Sequence, residues 1–269
     1  MKLGFIGTGN LASAILRGVV AAGKIKPEEI MIYDVFTEKV NQLTQELSVN
    51  SAVSAKQVAE ECENTVIAVK PKDFASLADS IKDEIKAKNS LVISTAAGTD
   101  ISKITSYFGF DLKVIRIMPN LNAAVGESMT AFCASHNVSD VDKAFANDFC
   151  SCFGKCVELE EKYFSAFTAV AGSAPAFAFM FADAIATAGV KYGLPAKTAQ
   201  DIAAQMLFGS AKNMLESPLS VGELIKNVCS PGGTTIEGVC SLKETGFENS
   251  VITAVNKTVE KDKLMSALK

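Results

Sequence analysis

The first 160 residues alternate short apolar runs with amphipathic stretches, and this alternation restricts the fold more than any other feature. The runs are continuously apolar, as expected of strands that are buried on both faces of a sheet. Strands that alternate with helices predict a parallel sheet wound on both sides. The predicted strands are Leu3–Ile6, Ile30–Tyr33, Thr65–Val69, Leu91–Ser94, Val114–Met118, Met129–Cys133 and Cys156–Leu159, and the predicted helices are Asn10–Ala22, Thr37–Leu47, Phe74–Ile85 and Val138–Cys152.

A glycine-rich turn, a G-x-G-x-x-A pattern, links the first predicted strand to the first predicted helix. Gly7 permits a tight turn, Gly9 lets the backbone approach a pyrophosphate, and Ala12 lets the helix lie close to the sheet. The helix N-terminus adds unpaired N–H groups and the positive end of the helix dipole. This context favours a Rossmann-type dinucleotide-binding domain over an ordinary glycine turn. We expect cofactor contacts from Ile6, Gly7, Thr8, Gly9, Asn10, Leu11 and Ala12.

One acidic residue, Asp34, ends the second predicted strand. A carboxylate at that position of a Rossmann-type domain accepts hydrogen bonds from the ribose hydroxyls of NAD. A 2′-phosphate is a like charge, and each pair of unit charges costs roughly 4 kcal/mol at about 4 Å and an effective dielectric of about 20. We therefore expect NADPH or NADH as cofactor, with NADH favoured. The alternative is that Asp34 only caps the helix that begins near Phe36.

Three further segments follow predicted strands at the sheet edge where Rossmann-type domains bind their ligands. They are Ala68–Pro71, Ser94–Gly98 and Arg116–Asn120, and each turns from aliphatic to small or polar residues. Any one of them is explained as an ordinary loop, but three at matching positions favour a cleft. We expect cofactor contacts here from Ala68, Val69, Lys70, Pro71, Ala96 and Asn120.

Strand signals stop at Glu160, and the rest of the chain predicts helices. We expect a dinucleotide-binding domain over residues 1–159 and an all-α substrate-binding and dimerisation domain over residues 160–269. The first of these helices is apolar on nearly every face and must be covered, most easily by a second copy of the chain. The predicted helices are Phe164–Ala188, Ala196–Glu216, Thr234–Thr245 and Phe247–Leu268.

A second candidate anion site lies between two of those helices, at Ser230–Thr235. Its consecutive glycines free the backbone, so that several N–H groups can face one point and hold a carboxylate. Thr235 adds a hydroxyl. An ordinary helix–helix turn with a Ser or Thr cap explains the same residues about equally well.

Composition excludes several classes of protein. The net charge of −4 argues against nucleic acid or an anionic membrane as partner. We expect no signal peptide, and seven scattered cysteines then predict free thiols in the cytoplasm. The apolar run from Phe164 to Ile185 is interrupted by Pro175 and carries Asp183, which favours a buried helix over a membrane span.

We also expect no metal. The spacing of Cys150, Cys152 and Cys156 is not a common zinc pattern, and the single histidine, His136, excludes a site built on two histidines. One histidine also makes a Ser-His-Asp hydrolase an unfavourable interpretation.

Seven segments along the whole chain resemble pyrroline-5-carboxylate reductases. The segment SPGGTTIEG at Ser230–Gly238 is close to that family's signature. The chain differs from the usual family pattern at MPNLN, at Ala174 and at Asp34-Val35, and the last difference puts the family's usual NADPH preference in doubt. The other matching segments are FIGTGNLASAI from Phe5, AVKP from Ala68, ISTAAG from Ile93, RIMPN from Arg116 with VGES behind it, AGSAPAF from Ala171 and AGVKYGLP from Ala188.

The resemblance implies a reaction, the transfer of a hydride from the cofactor to the imine carbon of 1-pyrroline-5-carboxylate, which gives L-proline. It places the substrate carboxylate on the Ser230–Thr235 turn and a hydrogen bond to the imine nitrogen on Thr235, the expected catalytic residue. Glu161 and Glu223 are candidate proton donors, although each is better explained as a solvated carboxylate at a helix end. The resemblance also implies a homodimer or higher homo-oligomer. The expected substrate-binding residues are Ser230, Gly232, Gly233, Thr234, Thr235 and Glu161.

Three other interpretations remain open, and one of them is a broader imine reductase. A β-hydroxyacid dehydrogenase has the same two-domain plan but uses a lysine on the long interdomain helix, and this chain has none between Gly172 and Gly189. A nicotinamide-sensing regulatory module needs the Gly7–Ala12 turn but not a second anion site. Oxidation of the cofactor on addition of the imine distinguishes these cases.

Overall fold

The computed structural model describes the backbone of residues 1–267 and the side chains of residues 1–266. The chain divides into two compact units. One is Met1–Ser173 together with the chain from Thr258, and the other is Ala174–Lys257. The domain boundary expected after residue 159 stays a prediction.

The first unit is built on an eight-stranded sheet in the order β3-β2-β1-β4-β5-β6-β7-β8. All neighbouring strands are parallel except β6 and β7, which pair antiparallel with Ile115 opposite Ala134. The expected doubly wound α/β fold is therefore confirmed, with two reversed strands at one edge. The strands are β1 Leu3–Ile6, β2 Ile30–Tyr33, β3 Asn50–Ser51, β4 Asn64–Ile67, β5 Leu91–Ser94, β6 Val114–Met118, β7 Ser128–Ala134 and β8 Gly154–Glu158.

Helices cover both faces of this sheet, and alternate strand residues enter two separate cores. Phe5 packs into one core, while the next residue, Ile6, packs into the other. Both side chains are fully buried, as are Ile93 and Val92 on β5. The helices of this unit are α1 Asn10–Ala22, α2 Thr37–Leu47, α3 Ala55–Glu61, α4 Pro71–Lys88, α5 Ile101–Phe108, α6 Asp140–Ser151 and the short α7 Phe164–Phe167, with 3₁₀ turns at Pro27–Glu29, Leu121–Val125 and Glu161–Tyr163.

The sequence-based prediction differs from the structure mainly at short elements. It missed β3, α3 and α5 because two to eight residues carry too little periodicity to separate them from loops. It placed the third predicted strand at Thr65–Val69, but the strand ends at Ile67 and Ala68 belongs to the loop.

The long apolar helix predicted over Phe164–Ala188 is interrupted. A π-helical turn, Thr168–Ser173, separates α7 from α8 Ala174–Lys191. A proline in a helix removes an N–H and crowds the carbonyl four residues earlier. Pro175, the second residue of α8, is the residue that sets this interruption.

The second unit is helical, as expected. Helices α8 and α9 pack through small side chains, with Ala186, Ala199 and Ala203 buried between them. Small residues leave most large apolar side chains outside this contact, so Phe179 and Met180 are 61% and 72% exposed. The remaining helices are α9 Ala196–Glu216, α10 Val221–Val228, α11 Thr234–Glu244 and α12 Phe247–Ala267. The sequence-based prediction missed α10.

Candidate cofactor and substrate sites

The glycine turn between β1 and α1 has the backbone that a dinucleotide site requires. Gly7 has a φ of +100°, and a Cβ there would lie 2.6 Å from the carbonyl oxygen of Ala68. Any other residue is therefore excluded by both backbone and space. At Gly9 an added Cβ would meet nothing within 4 Å, so the space beside it is open. Gly9 is also the N-cap of α1 and makes no side-chain cap, which leaves the helix N–H groups available to a phosphate.

Asp34 braces this turn from the end of β2. Its Oδ2 accepts hydrogen bonds from the Thr8 N–H at 2.6 Å and from the Thr8 hydroxyl at 3.0 Å. Its Oδ1 accepts from the Phe36 N–H at 3.0 Å. These contacts give Asp34 a structural role at the turn that the sequence did not reveal, and its contact with a ribose stays a prediction. The carboxylate still lines the adjoining cleft and keeps lone pairs for a ribose.

The cleft beside the turn has a volume of about 740 Å³, and the charges of the side chains that line it suit a nicotinamide dinucleotide. Lys39, Lys70 and Lys72 line it against Asp34 and Asp73, so the cations outnumber the carboxylates at a place expected to hold a pyrophosphate. Lys72, Ser76 and Ser80 also line the cleft and were not predicted from the sequence. They lie four residues apart on α4 and share its cleft-facing side. That spacing was the available signal.

The other expected cofactor residues take different positions around this cleft. Ile6, Ala68, Val69 and Lys70 line it, and Pro71 is the first residue of α4. Asn10 is exposed at the start of α1, Leu11 is half-buried, and Ala12 is buried. Ala96 is also buried. A contact between the cofactor and any of them stays a prediction.

Asn120, by contrast, has both side-chain polar atoms engaged within the protein. Its Nδ2 donates to the carbonyl of Ala171 at 3.0 Å, and its Oδ1 accepts from the Asn122 N–H at 3.1 Å. Its own N–H donates to the Ser128 hydroxyl. The residue is 6% exposed.

Glu161 also has partners that the sequence did not reveal. Its Oε1 accepts from the Arg116 guanidinium at 3.0 Å and from the Ile101 N–H at 2.8 Å. Arg116 is buried, and its guanidinium lies 4.5 Å from the ring centre of Phe164. Glu161 does lie at a helix end and is about one-third exposed, but it also pairs with a buried cation, which the sequence did not reveal. Glu223 does lie at a helix end, where it forms a capping box with Ser220.

The Ser230–Thr235 turn has the open backbone expected of an anion site. Gly232 has a φ of +67°, and Gly233 donates its N–H to the Ser230 carbonyl at 3.0 Å. Gly233 is the N-cap of α11 and has no side chain with which to satisfy the first N–H groups of that helix. The turn is exposed, and Thr235 at the second helical position is half-buried. Backbone N–H groups and the Thr235 side chain thus lie at the start of one helix, which suits a carboxylate ligand.

Another cleft, of about 870 Å³, lies at the edge of the first unit. Its lining includes Glu161 and His136 together with Asp111, Glu158 and Glu160. These carboxylates repel a pyrophosphate, so charge favours the smaller cleft as the cofactor site. Among residues 1–266, no group of three or more His, Cys, Asp or Glu side chains is placed to hold a metal ion.

Comparisons with known proteins agree with this architecture. Residues 161–265 match the family described as pyrroline-5-carboxylate reductase dimerisation, and residues 2–98 match NADP oxidoreductase, coenzyme F420-dependent. The Escherichia coli pyrroline-5-carboxylate reductase is 40% identical, and the match covers 98% of both chains. The chain belongs to the pyrroline-5-carboxylate reductase family. The Aquifex aeolicus member is 37% identical, over 98% of this chain and 97% of its own.

A solved structure extends the comparison to the fold. The Plasmodium falciparum pyrroline carboxylate reductase, crystallised with NADP bound, is 32% identical and aligns with a TM-score of 0.89 over 99% of this chain and 98% of its own. Members of the pyrroline-5-carboxylate reductase family are nicotinamide-dependent oxidoreductases, and the enzyme class and cofactor class expected from the sequence are confirmed. The preference between NADH and NADPH belongs to the proposal below.

Proposed function

We propose that this chain reduces the C=N bond of 1-pyrroline-5-carboxylate to give L-proline, with NADH or NADPH as the hydride source. The observation that carries the proposal is the Ser230–Thr235 turn, a second anion site in a chain that already has a dinucleotide cleft. A nicotinamide-sensing module has no need of it. The segment lies within a match of 98% of the chain to a named pyrroline-5-carboxylate reductase.

The protein's own residues act mainly by binding and orientation. The N–H groups at the start of α11 hold the substrate carboxylate, and the Thr235 hydroxyl hydrogen-bonds the ring nitrogen. A cyclic imine is basic enough to bind as the iminium, so the site needs no dedicated acid. Holding two reactants in one geometry accounts for most of the rate, since effective molarities reach about 10⁵ M or more in well-oriented pairs. The nicotinamide cofactor, when bound in the Gly7–Gly9 cleft, supplies the hydride.

We propose that NADH is used at least as well as NADPH. Asp34 follows β2 directly, at the position where a carboxylate meets the ribose in Rossmann-type domains. Lys39 and Lys72 offset part of that charge in the same cleft. Neither is an arginine with a planar fork for a 2′-phosphate, so the carboxylate sets the preference.

We further propose that the active species is a homodimer or higher homo-oligomer in the cytoplasm, with no nucleic acid or membrane partner. All seven cysteines are free thiols, as a reducing compartment requires. The helical stretch Glu161–Lys191 is long and apolar enough to cross a membrane by length and composition. It begins where the match to the dimerisation family begins, and a second copy of the chain covers the same apolar surface as a bilayer would.

The experiment is cofactor oxidation on addition of the imine. We expect turnover with 1-pyrroline-5-carboxylate and none with β-hydroxyacids. Thr235→Ala should lower kcat by about tenfold or more while the cofactor Kd changes by less than about twofold, because the hydroxyl is assigned to the substrate. Thr245→Ala, just after the other end of the same helix, is the control and should leave kcat unchanged. Absence of turnover with either cofactor would contradict the proposal.

A further inference from the structure

The interruption of the apolar helix follows from one covalent fact about Pro175. In an α-helix the carbonyl of residue 171 accepts from the N–H of residue 175. Pro175 has no N–H, and its ring crowds that same carbonyl. The backbone widens into the π-helical turn Thr168–Ser173, which ends two residues before Pro175. Such turns are rare and are frequently found at functional sites.

The Ala171 carbonyl does not go without a donor, because a side chain from another element supplies one. The Nδ2 of Asn120 lies 3.0 Å from that carbonyl oxygen. Asn120 follows β6, whose carboxyl end lies at the sheet edge that carries the cofactor cleft. Its position is fixed in turn, since the Asn120 N–H donates to the buried hydroxyl of Ser128.

We infer that Asn120 is a positioning residue that replaces the backbone donor missing at Pro175 and so holds the π-helical turn. The sequence predicts a cofactor contact for the same side chain, and that contact stays a prediction. Each of its polar atoms has a partner within the protein, which fixes the orientation of the amide, and Nδ2 keeps a second N–H. The inference rests on the proposed reductase activity for its functional part, and on the hydrogen bond alone for its structural part.

The π-helical turn affects function because it sets which face of the following helix, α8, points in a given direction. Each residue of an α-helix turns the chain by about 100°, so one extra residue in the turn rotates the downstream face by about that angle. Phe179 and Met180 lie on that downstream segment and are exposed in the single chain. Loss of the π-helical turn would therefore present a different face of α8 at the proposed dimerisation surface.

A double-mutant cycle tests the inference, with Asn120→Ala, Pro175→Ala and the pair. Pro175→Ala restores the backbone N–H, so the Ala171 carbonyl no longer depends on Asn120. We expect Asn120→Ala alone to lower kcat about tenfold, with a cofactor Kd within about twofold of the wild type. In the Pro175→Ala background the same change should cost less than about threefold. Asn122→Ala is the matched control, because its side chain makes no hydrogen bond among the described residues, and it should leave kcat unchanged.

The free energy of unfolding is measured by chemical denaturation for the wild type and for the same variants. This measurement does not depend on the reaction. A smaller loss of stability from Asn120→Ala in the Pro175→Ala background supports the hydrogen-bond replacement even if the imine proves to be the wrong substrate. Equal losses in both backgrounds, in stability and in kcat, overturn the inference. So does a large rise in the cofactor Kd that persists in the double variant. If Asn120→Ala alone yields no folded protein, recovery of folded protein in the double variant supports it and failure to recover overturns it.

Discussion

Asp34 serves the glycine turn and the cofactor cleft with the same carboxylate. Its three hydrogen bonds go to Thr8 and Phe36, on the two segments that border the cleft. Hydrogen bonds to an ionised carboxylate are about twice as strong as neutral ones, so the charge itself rigidifies the turn. A change at this position therefore alters both cofactor preference and turn geometry, and a test has to separate the two.

Asp34→Asn should raise the ratio of kcat/KM for NADPH to that for NADH by about tenfold, because it removes the like charge near the 2′-phosphate but keeps one acceptor oxygen for Thr8. Steady-state kinetics with both cofactors measure the ratio. Asp73→Asn is the control, since it removes a second carboxylate from the same cleft. An equal rise in both variants would mean that total charge, rather than the Asp34 position, sets the preference.

Two thiols of the first unit, those of Cys62 and Cys133, are buried in the folded protein. Burial raises the pKa of Cys62 to about 11 and that of Cys133 to about 12. At about pH 8 neither forms appreciable thiolate, so iodoacetamide should leave both unlabelled in the folded protein and label them after unfolding. These groups keep their protons in the folded state and lose them earlier in the unfolded chain. The free energy of unfolding should therefore fall as the pH rises above the ordinary thiol range. Labelling of native Cys62 at neutral pH would contradict this.

Strand β6 joins three elements through Arg116 and Glu161. The guanidinium faces Phe164 on α7, while the carboxylate that pairs with it also accepts from the first N–H of α5. Arg116 is almost fully buried and its partner is about one-third exposed. A buried cation that loses its partner is costly, whereas an exposed pair contributes little.

Glu161→Gln should lower the free energy of unfolding by about 2 kcal/mol, less than for a fully buried pair because water still reaches the carboxylate. Chemical denaturation measures it. Glu158→Gln is the matched control, because Glu158 pairs with Lys143 at the surface, and it should change stability by less than about 0.5 kcal/mol. If Glu161 binds substrate instead, its variant should raise the substrate KM with little loss of stability.

The longer elements were predictable because their apolar residues recur at a fixed spacing. Leu3–Ile6, Asn10–Ala22 and Ala196–Glu216 have the bounds that the pattern indicates. The eight-residue helices α5 and α10 were not predicted, because each has only about two turns, although the Ser220 and Glu223 capping box that begins α10 was a local signal. The direction of β7 was not predictable either, because sequence alone gives no strand pairing.

The residues of the candidate site also fall into two groups, those that the sequence predicts and those that only the structure reveals. Gly7 and Gly9 could be placed from the motif, since their roles are local to one turn. The partners of Asp34, Asn120 and Glu161 lie up to 60 residues away along the chain, so only tertiary structure reveals them. Pro175 was the one local signal of the π-helical turn, since a proline inside a helix removes a backbone donor.

The whole molecule presents more apolar surface on its helical half than a monomer can leave in water. Val170, Phe179 and Met180 are each more than 60% exposed, and further large apolar side chains on α9 and α10 are exposed as well. Full burial of a Phe or Met side chain contributes roughly 1.5–3 kcal/mol, so several of them supply the free energy of a stable interface. These residues lie within the span that matches the dimerisation family.

Met180→Glu should therefore shift the protein toward monomer and lower its activity, since it introduces a charge into the surface proposed for dimerisation. Light scattering at assay concentration gives the mass, and kcat is measured on the same sample. Val53→Glu is the control, because Val53 is 89% exposed but lies outside the matched span, and it should change neither. A fully active wild-type species of monomer mass would show that the chain's own helices suffice. In that case the exposed face of α8 would need another occupant, and the membrane-span length of Glu161–Lys191 would be the first property to test.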